Sequence, residues 1–317
     1  MEAAVILSRP AVHAATLAAA LLLLAAPPTP GAEIPAPAAD LLAKLRTRVL
    51  AVDAHLDGVL GVYVRDIESG ATIELRADET FPTASSIKLA VLYELYRQAE
   101  EGRIDLSEST RPPVPRVRGG GVLQELGDRV ALTWRDLAVL MMGWSDNEAT
   151  NVLVRRIGLG AANARLDGLG LTRTRLRRLM MDVDAARRGD ENVSTPREIA
   201  RLAEVVARGE GLAPERAKDA LAAAQFPDSG SPFRRGLPEG TRAVSKPGAL
   251  EGVRCEAAFV DLPGRPYSAA IMTAYLHRDE DGDDAITAIS AALYETFDRL
   301  ARASEYGRLI GERTPTR

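Results

Sequence analysis

Strand-like segments lie near the two ends of this chain, and the long stretch between them has helical periodicity. Near the start, Leu60, Val62 and Val64 alternate with Gly61, Tyr63 and Arg65, and Glu68-Ser69-Gly70 turns the chain into residues 72–76, a hairpin signal. Near the end, Ala257–Leu262 and Tyr267–Tyr275 are strand-like runs joined by Pro263-Gly264-Arg265-Pro266. Amphipathic helices flank both groups, Leu41 to Leu56 before the first and about Asp284 to Ala301 after the second. The middle carries helix start signals. Thr133 with Asp136 reads as a capping box ahead of Leu137, Leu140, Met141 and Trp144, and a helix Glu148 to Ile157 follows. Thr195-Pro196-Arg197-Glu198 opens a helix that stops at Arg208-Gly209. Arg111 to Gly121 has no periodicity and reads as a loop. An α+β fold follows, in which terminal strands pair into one antiparallel sheet backed by helices and an all-helical lobe is inserted. The expected boundaries are 41–80 with 240–310 for the sheet lobe and 81–239 for the helical lobe.

Composition removes several classes. A chain of 317 residues that is 46% hydrophobic and 26% charged can bury a large core. Its net charge of -4, with signs interspersed, offers no basic stripe, so no nucleic-acid partner is expected. Residues 1–32 read as a secretory signal: Arg9 precedes an apolar stretch from Ala14 to Ala26, and small residues end at Ala32. The mature chain is expected to begin near Glu33, with 33–40 a short unstructured leader, and to be exported, periplasmic or secreted, without a membrane anchor. A single cysteine, Cys255, allows no intramolecular disulfide and reads as a small buried hydrophobe. The three histidines, His13, His55 and His277, are not placed for a Ser-His-Asp arrangement, and no metal site or cofactor is expected. Gly119-Gly120-Gly121 reads as a loop bordering a cleft, since no Lys-Ser/Thr follows it, and Asp279 to Asp284 as a solvated turn and helix start.

Three short motifs carry the chemistry. Ser85 and Lys88 are three residues apart at the head of an apolar run, Leu89, Leu92, Tyr93, Tyr96, so a helical turn puts a hydroxyl beside an amine. Ser85 would sit in the first turn, where unpaired amides and the helix dipole favour developing negative charge. Ser145-Asp146-Asn147 and Lys246-Pro247-Gly248 follow in order. This ordered set resembles that of the class A β-lactamases and penicillin-recognising serine hydrolases. The resemblance runs from about Leu41 to Leu300 and includes Ser194-Thr195-Pro196 and Arg235-Gly236-Leu237-Pro238.

The resemblance implies that Ser85 attacks the carbonyl of a β-lactam or an acyl-D-Ala-D-Ala peptide to give an acyl-enzyme. Lys88 would be its base, in the neutral form that burial and a second cation such as Lys246 favour. Ser145 would relay a proton to the leaving nitrogen, and Asn147 would hold the substrate's side-chain amide. The backbone amides of Ser85 and Ala249 would form an oxyanion hole. Lys246 would attract the substrate carboxylate, Gly248 would leave room for the acyl chain, and Arg254 lies one residue out of register from a carboxylate-binding arginine of many relatives. The implied activity is β-lactam hydrolysis by a monomer acting on a small molecule; the alternatives are a D-alanyl-D-alanine peptidase or esterase and a slowly deacylating penicillin-binding sensor. Two departures matter. Pro247 stands where a Thr or Ser is usual, losing a hydroxyl hydrogen bond worth ~1.5–3 kcal/mol to a charged acceptor. Met180 falls where the family carries a water-activating glutamate, leaving Asp182 or Asp184 as substitutes.

Overall fold

The computed structural model describes residues 35–225 and 230–310. The signal-like segment 1–32 lies outside the described residues. In chain order the elements are α1 (Ala36–His55), β1 (Val59–Asp66), β2 (Thr72–Leu75), β3 (Phe81–Pro82), a 3₁₀ turn Ala84–Ile87, and α2 (Lys88–Glu100). Then come β4 (Ser109–Thr110), β5 (Leu132–Thr133), α3 (Trp134–Gly143), α4 (Asn147–Ile157), α5 (Leu159–Gly168), α6 (Val183–Arg187) and β6 (Val193–Ser194). The chain closes with α7 (Pro196–Arg208), α8 (Pro214–Ala224), α9 (Pro232–Arg235), β7 (Ala243–Leu250), β8 (Val253–Val260), β9 (Tyr267–Ala274) and α10 (Asp279–Arg302). Among the described residues no helix is long and apolar enough to cross a membrane.

The terminal strands pair as expected. β1 runs antiparallel to β9 from Val59 opposite Ala274 to Asp66 opposite Tyr267, and the five-stranded order is β2-β1-β9-β8-β7. Side chains alternate between the two faces. Val62, Val64, Ala269 and Ile271 pack with Leu45 and Val49 of α1 and Ile289, Leu293 and Phe297 of α10. Tyr63, Cys255, Ala257, Ala270 and Met272 join the core of the helical lobe on the other face. With both faces covered, every residue of β9 is buried, which is why it reads as a continuous apolar run.

Helix α7 is the strut between sheet and helical lobe. Its Thr195 hydroxyl accepts from the Glu198 amide, Pro196 fills the first turn, and Gly209 ends it in the left-handed conformation at φ 59. Ile199, Ala200, Leu202, Ala203, Val205 and Val206 are buried along it.

Three boundaries differ from the sequence reading. The expected leader is helical from Ala36, since prolines are tolerated in a first turn and the alanines that follow are strong helix formers. Residues 232–239 belong with the sheet rather than the helical lobe, because Phe233 and Leu237 pack into the core beneath α10. α10 begins at Asp279, five residues before the expected start, with Asp279, Glu280 and Asp281 at the positive end of its dipole.

Candidate active site

A cleft of about 760 Å³ opens between the helical lobe and the edge strand β7, and Ser85, Ser145, Asn147 and Lys246 line it. Ser85 lies in the 3₁₀ turn, not in the α-helix proper; Lys88 is the first residue of α2. In a 3₁₀ turn residues i and i+3 eclipse, so this geometry stacks the two side chains more directly than an α-turn would. Ala84, just before Ser85, sits at φ 45, a left-handed conformation that costs a non-glycine residue on the order of 1–3 kcal/mol.

Lys88 is fully buried, and its Nζ donates to Ser145 O at 2.6 Å, Ser145 Oγ at 3.0 Å and Asn147 Oδ1 at 3.0 Å. One amine therefore gathers the first motif and the second. Ser145 is presented by a turn at φ 51, and Asp146 caps α4 by accepting from the Ala149 amide at 2.9 Å. The glycine loop is fastened to this turn: Asn147 Nδ2 donates to Gly119 O at 2.9 Å, and a Cβ on Gly121 would stand 2.4 Å from Asp146 Cα. Gly119-Gly120-Gly121 thus forms a cleft wall of backbone, at φ values of 98, 138 and 91 that favour glycine.

The third motif lies on β7, across the cleft. Lys246 is fully buried with Nζ 3.1 Å from Pro247 O, and its carbonyl accepts from Ser86 Oγ at 2.8 Å, tying β7 to the nucleophile's turn. The ladder with β8 continues past Pro247 opposite Glu256, and a residue without an N–H fits there only with its nitrogen toward the open edge. Ala249, two residues on, shares that direction, so its N–H faces the cleft. The room made by Gly248 is taken by the turn that carries Ser85. A Cβ there would meet Thr83 O at 2.6 Å, Cys255 Sγ at 2.7 Å and Ser85 N at 2.9 Å. Cys255 is buried beneath this contact, its Sγ 2.8 Å from Thr83 O, and burial pushes its thiol up to about 11, so it packs without reactivity.

Arg254 pairs with Ala249 and lines the cleft. Its guanidinium, however, is held by Asp279 at 3.0 Å, Asp283 at 3.4 Å and the carbonyls of Leu250 and Val253 at 2.9 Å. Those two carboxylates neutralise it as an anion anchor.

Met180 occupies a loop closed at its neck by the Arg175–Val193 bridge and braced by Arg178 against Glu191 at 2.7 Å. Asn151 pins the Met180 backbone on both sides, accepting from its N–H at 2.7 Å and donating to its carbonyl at 3.1 Å. Neither nominated aspartate faces the cleft. Asp182 caps α6 by accepting from Ala185, and Asp184 is exposed beside Arg187. The acidic residue of this loop that lines the cleft is Glu191, whose Oε1 is taken by Arg178 and the Asn192 amide. Sequence reasoning missed the role of Asn151, although it lies four residues after Asn147 and therefore on the same face of α4. It also missed Ser86, which no spacing marks out.

A serine and lysine one turn apart, a second serine on the facing turn and a buried lysine on an antiparallel edge strand define a serine acyl-transfer site in a two-lobe α+β fold. The chain matches the model of the β-lactamase enzyme family over residues 43–297, and it belongs to that family. A β-lactamase of Streptomyces albus G is 34% identical over 254 residues, covering 75% of this chain and 80% of that protein. One of Streptomyces fradiae is 29% identical over 295 residues, covering 90% and 95%. Among solved structures, a point mutant of PBP-A in an acyl-enzyme complex with penicillin G superposes with a TM-score of 0.73 at 28% identity, covering 81% of this chain and 97% of that one. A β-lactamase of Sphaerobacter thermophilus gives a TM-score of 0.73 at 29% identity, with coverages of 80% and 97%.

Proposed function

We propose that the protein is a serine β-lactamase-type hydrolase that opens β-lactam rings through an acyl-enzyme on Ser85. The observation that carries this reading is the position of the Lys88 amine, one turn from Ser85 and 3.0 Å from both Ser145 Oγ and Asn147 Oδ1. A neutral Lys88 takes the Ser85 proton as Oγ attacks the ring carbonyl. The C–N bond breaks, and the proton passes through Ser145 Oγ to the departing nitrogen. The Ser85 and Ala249 amides hold the oxyanion, and Lys246 attracts the substrate carboxylate. Water then cleaves the ester, restoring Ser85 and releasing the ring-opened acid. The test is Ser85→Ala with mass spectrometry: wild type gains the mass of a penicillin and the variant does not, while equal adducts on both overturn the assignment.

A second reading, accumulation of the acyl-enzyme as in a penicillin-binding protein, is favoured by Met180. A thioether cannot activate water, and Asp182 and Asp184 are engaged elsewhere. Excess chromogenic cephalosporin separates the two: sustained hydrolysis supports the hydrolase, and a burst of one equivalent supports the trapped adduct. Cleavage of an acyl-D-Ala-D-Ala peptide with little β-lactam turnover would move the function to a peptidase. We also propose that the chain is exported and acts as a monomer on a small molecule. Support comes from the signal-like 1–32, and sequencing the N-terminus of the protein recovered outside the cytoplasm tests it, with Glu33 expected near the start.

A further inference from the structure

Glu256 is a fully buried carboxylate that the chemistry above does not use. It lies on β8 opposite Pro247, on the sheet face turned to α9 and α10. Its neighbours there, Ala258, Ile271 and Ile286, are apolar and buried, so packing alone would be served by a leucine or isoleucine. The glutamate instead holds α9. Oε1 is bonded by Ser231 Oγ, Oε2 accepts from the Phe233 amide at 2.9 Å, and Ser231 Oγ accepts in turn from the Arg234 amide at 3.0 Å. From the other side α10 grips the same segment, Thr287 Oγ1 donating to Pro232 O at 3.0 Å and Ser290 Oγ to Phe233 O at 2.7 Å. Pro232 lines the cleft together with Pro247, Ala249 and Arg254.

We propose that Glu256 is a positioning residue that latches the Ser231–Arg235 wall of the cleft to β8, the strand paired with the one that carries Lys246, and so sets the affinity for the carboxylate end of the substrate. This rests on the acyl-transfer reading of the site. Burial holds the Glu256 carboxyl up to about 7, against the Ser231 hydroxyl, the Phe233 amide and Lys246, which favour the ionised form. The charged groups on the surrounding elements are Lys246 on β7, Arg254 on its own strand, Asp279 and Asp283 on α10 and Arg235 on α9; Lys246 acts on it directly, and Arg254 and Arg235 act on Asp283.

Glu256→Gln supplies a permanently neutral side chain that can accept from Phe233 and donate to Ser231. Ser231→Ala removes the hydroxyl that bonds Glu256 and caps α9 while keeping the charge. In Ser231→Ala the KM for acylation by a penicillin is expected to rise at least threefold relative to that for a carboxylate-free ester, with kcat changing alike for both, and Glu256→Gln should hold the wild-type ratio. An unchanged ratio in Ser231→Ala overturns the proposal and leaves Glu256 a counter-charge to Lys246; a rise in Glu256→Gln as large as that in Ser231→Ala overturns it too, since the charge rather than the hydrogen bonds would then act. Amide exchange gives a readout independent of activity: the Phe233 protection factor should fall about tenfold in Ser231→Ala but not in Glu256→Gln. Unchanged protection in Ser231→Ala overturns the latch even if Ser85 accepts no β-lactam, whereas the expected protection change with no acylation would reject the acyl-transfer reading alone.

Discussion

Lys88 is the residue on which the site converges, since one buried amine contacts both the backbone and the hydroxyl of Ser145 and the amide of Asn147. Lys88→Ala removes the positioned base and should slow acylation by at least ~10²-fold, measured by stopped-flow with a chromogenic cephalosporin. An unchanged rate would place the base elsewhere. Met180 is the complementary case, a position whose backbone is fixed and whose side chain is chemically inert. Because Asn151 holds both its N–H and its carbonyl, a new side chain there inherits a set direction. Met180→Glu should therefore speed deacylation, by up to the 10²–10⁴-fold that a positioned general base supplies, and shorten the adduct lifetime seen by mass spectrometry. A lifetime equal to that of wild type would show that the loop does not aim position 180 at the ester.

At the scale of elements, the 3₁₀ turn and β7 form a unit, closed by Ser86 Oγ on Lys246 O and by the absence of a side chain at Gly248. Gly248→Ala must push the nucleophile's turn away from the strand. It should cost about 1–3 kcal/mol of stability, read by thermal unfolding, and depress acylation of every substrate alike. The helices that form this lobe were legible because their caps are local chemistry: Thr133 with Asp136, Thr195 with Glu198 and Gly209 behave as their side chains dictate. The three motifs were legible for the same reason, as fixed spacings. β7 itself carries a proline and a glycine and so gives a weak strand signal; only its pairing with β8 makes it a strand. The engagement of Arg254 by Asp279 and Asp283, and the latch on Glu256, depend on contacts between segments 23 or more residues apart, which no periodicity encodes.

For the whole molecule, Glu256 gives stability an unusual slope with pH. Its carboxyl is raised from 4.5 to about 7 in the folded protein, so the unfolded chain loses this proton first. Stability from this group is complete below about 4.5, declines as pH rises, and is gone above about 7, a change on the order of 3 kcal/mol. Glu74 and Asp78 act oppositely: the Arg197 guanidinium holds both below the usual carboxylate range, so their contribution is lost on acidification. The melting temperature should accordingly fall by several degrees between pH 5 and pH 8 in wild type and stay level in Glu256→Gln. A wild-type curve as flat as the variant's would mean that water reaches this carboxylate.

The sheet ends, on the side of the cleft, at a strand whose outer edge must stay bare to receive a substrate, and a bare edge is also an invitation to another sheet. Pro247 resolves this conflict. A strand of a second molecule laid along β7 would find the Ala249 N–H but no donor two residues earlier, so its ladder would be interrupted at Pro247. The missing N–H thus shortens the run of donors that this edge offers to another sheet, while the Ala249 N–H stays turned to the cleft.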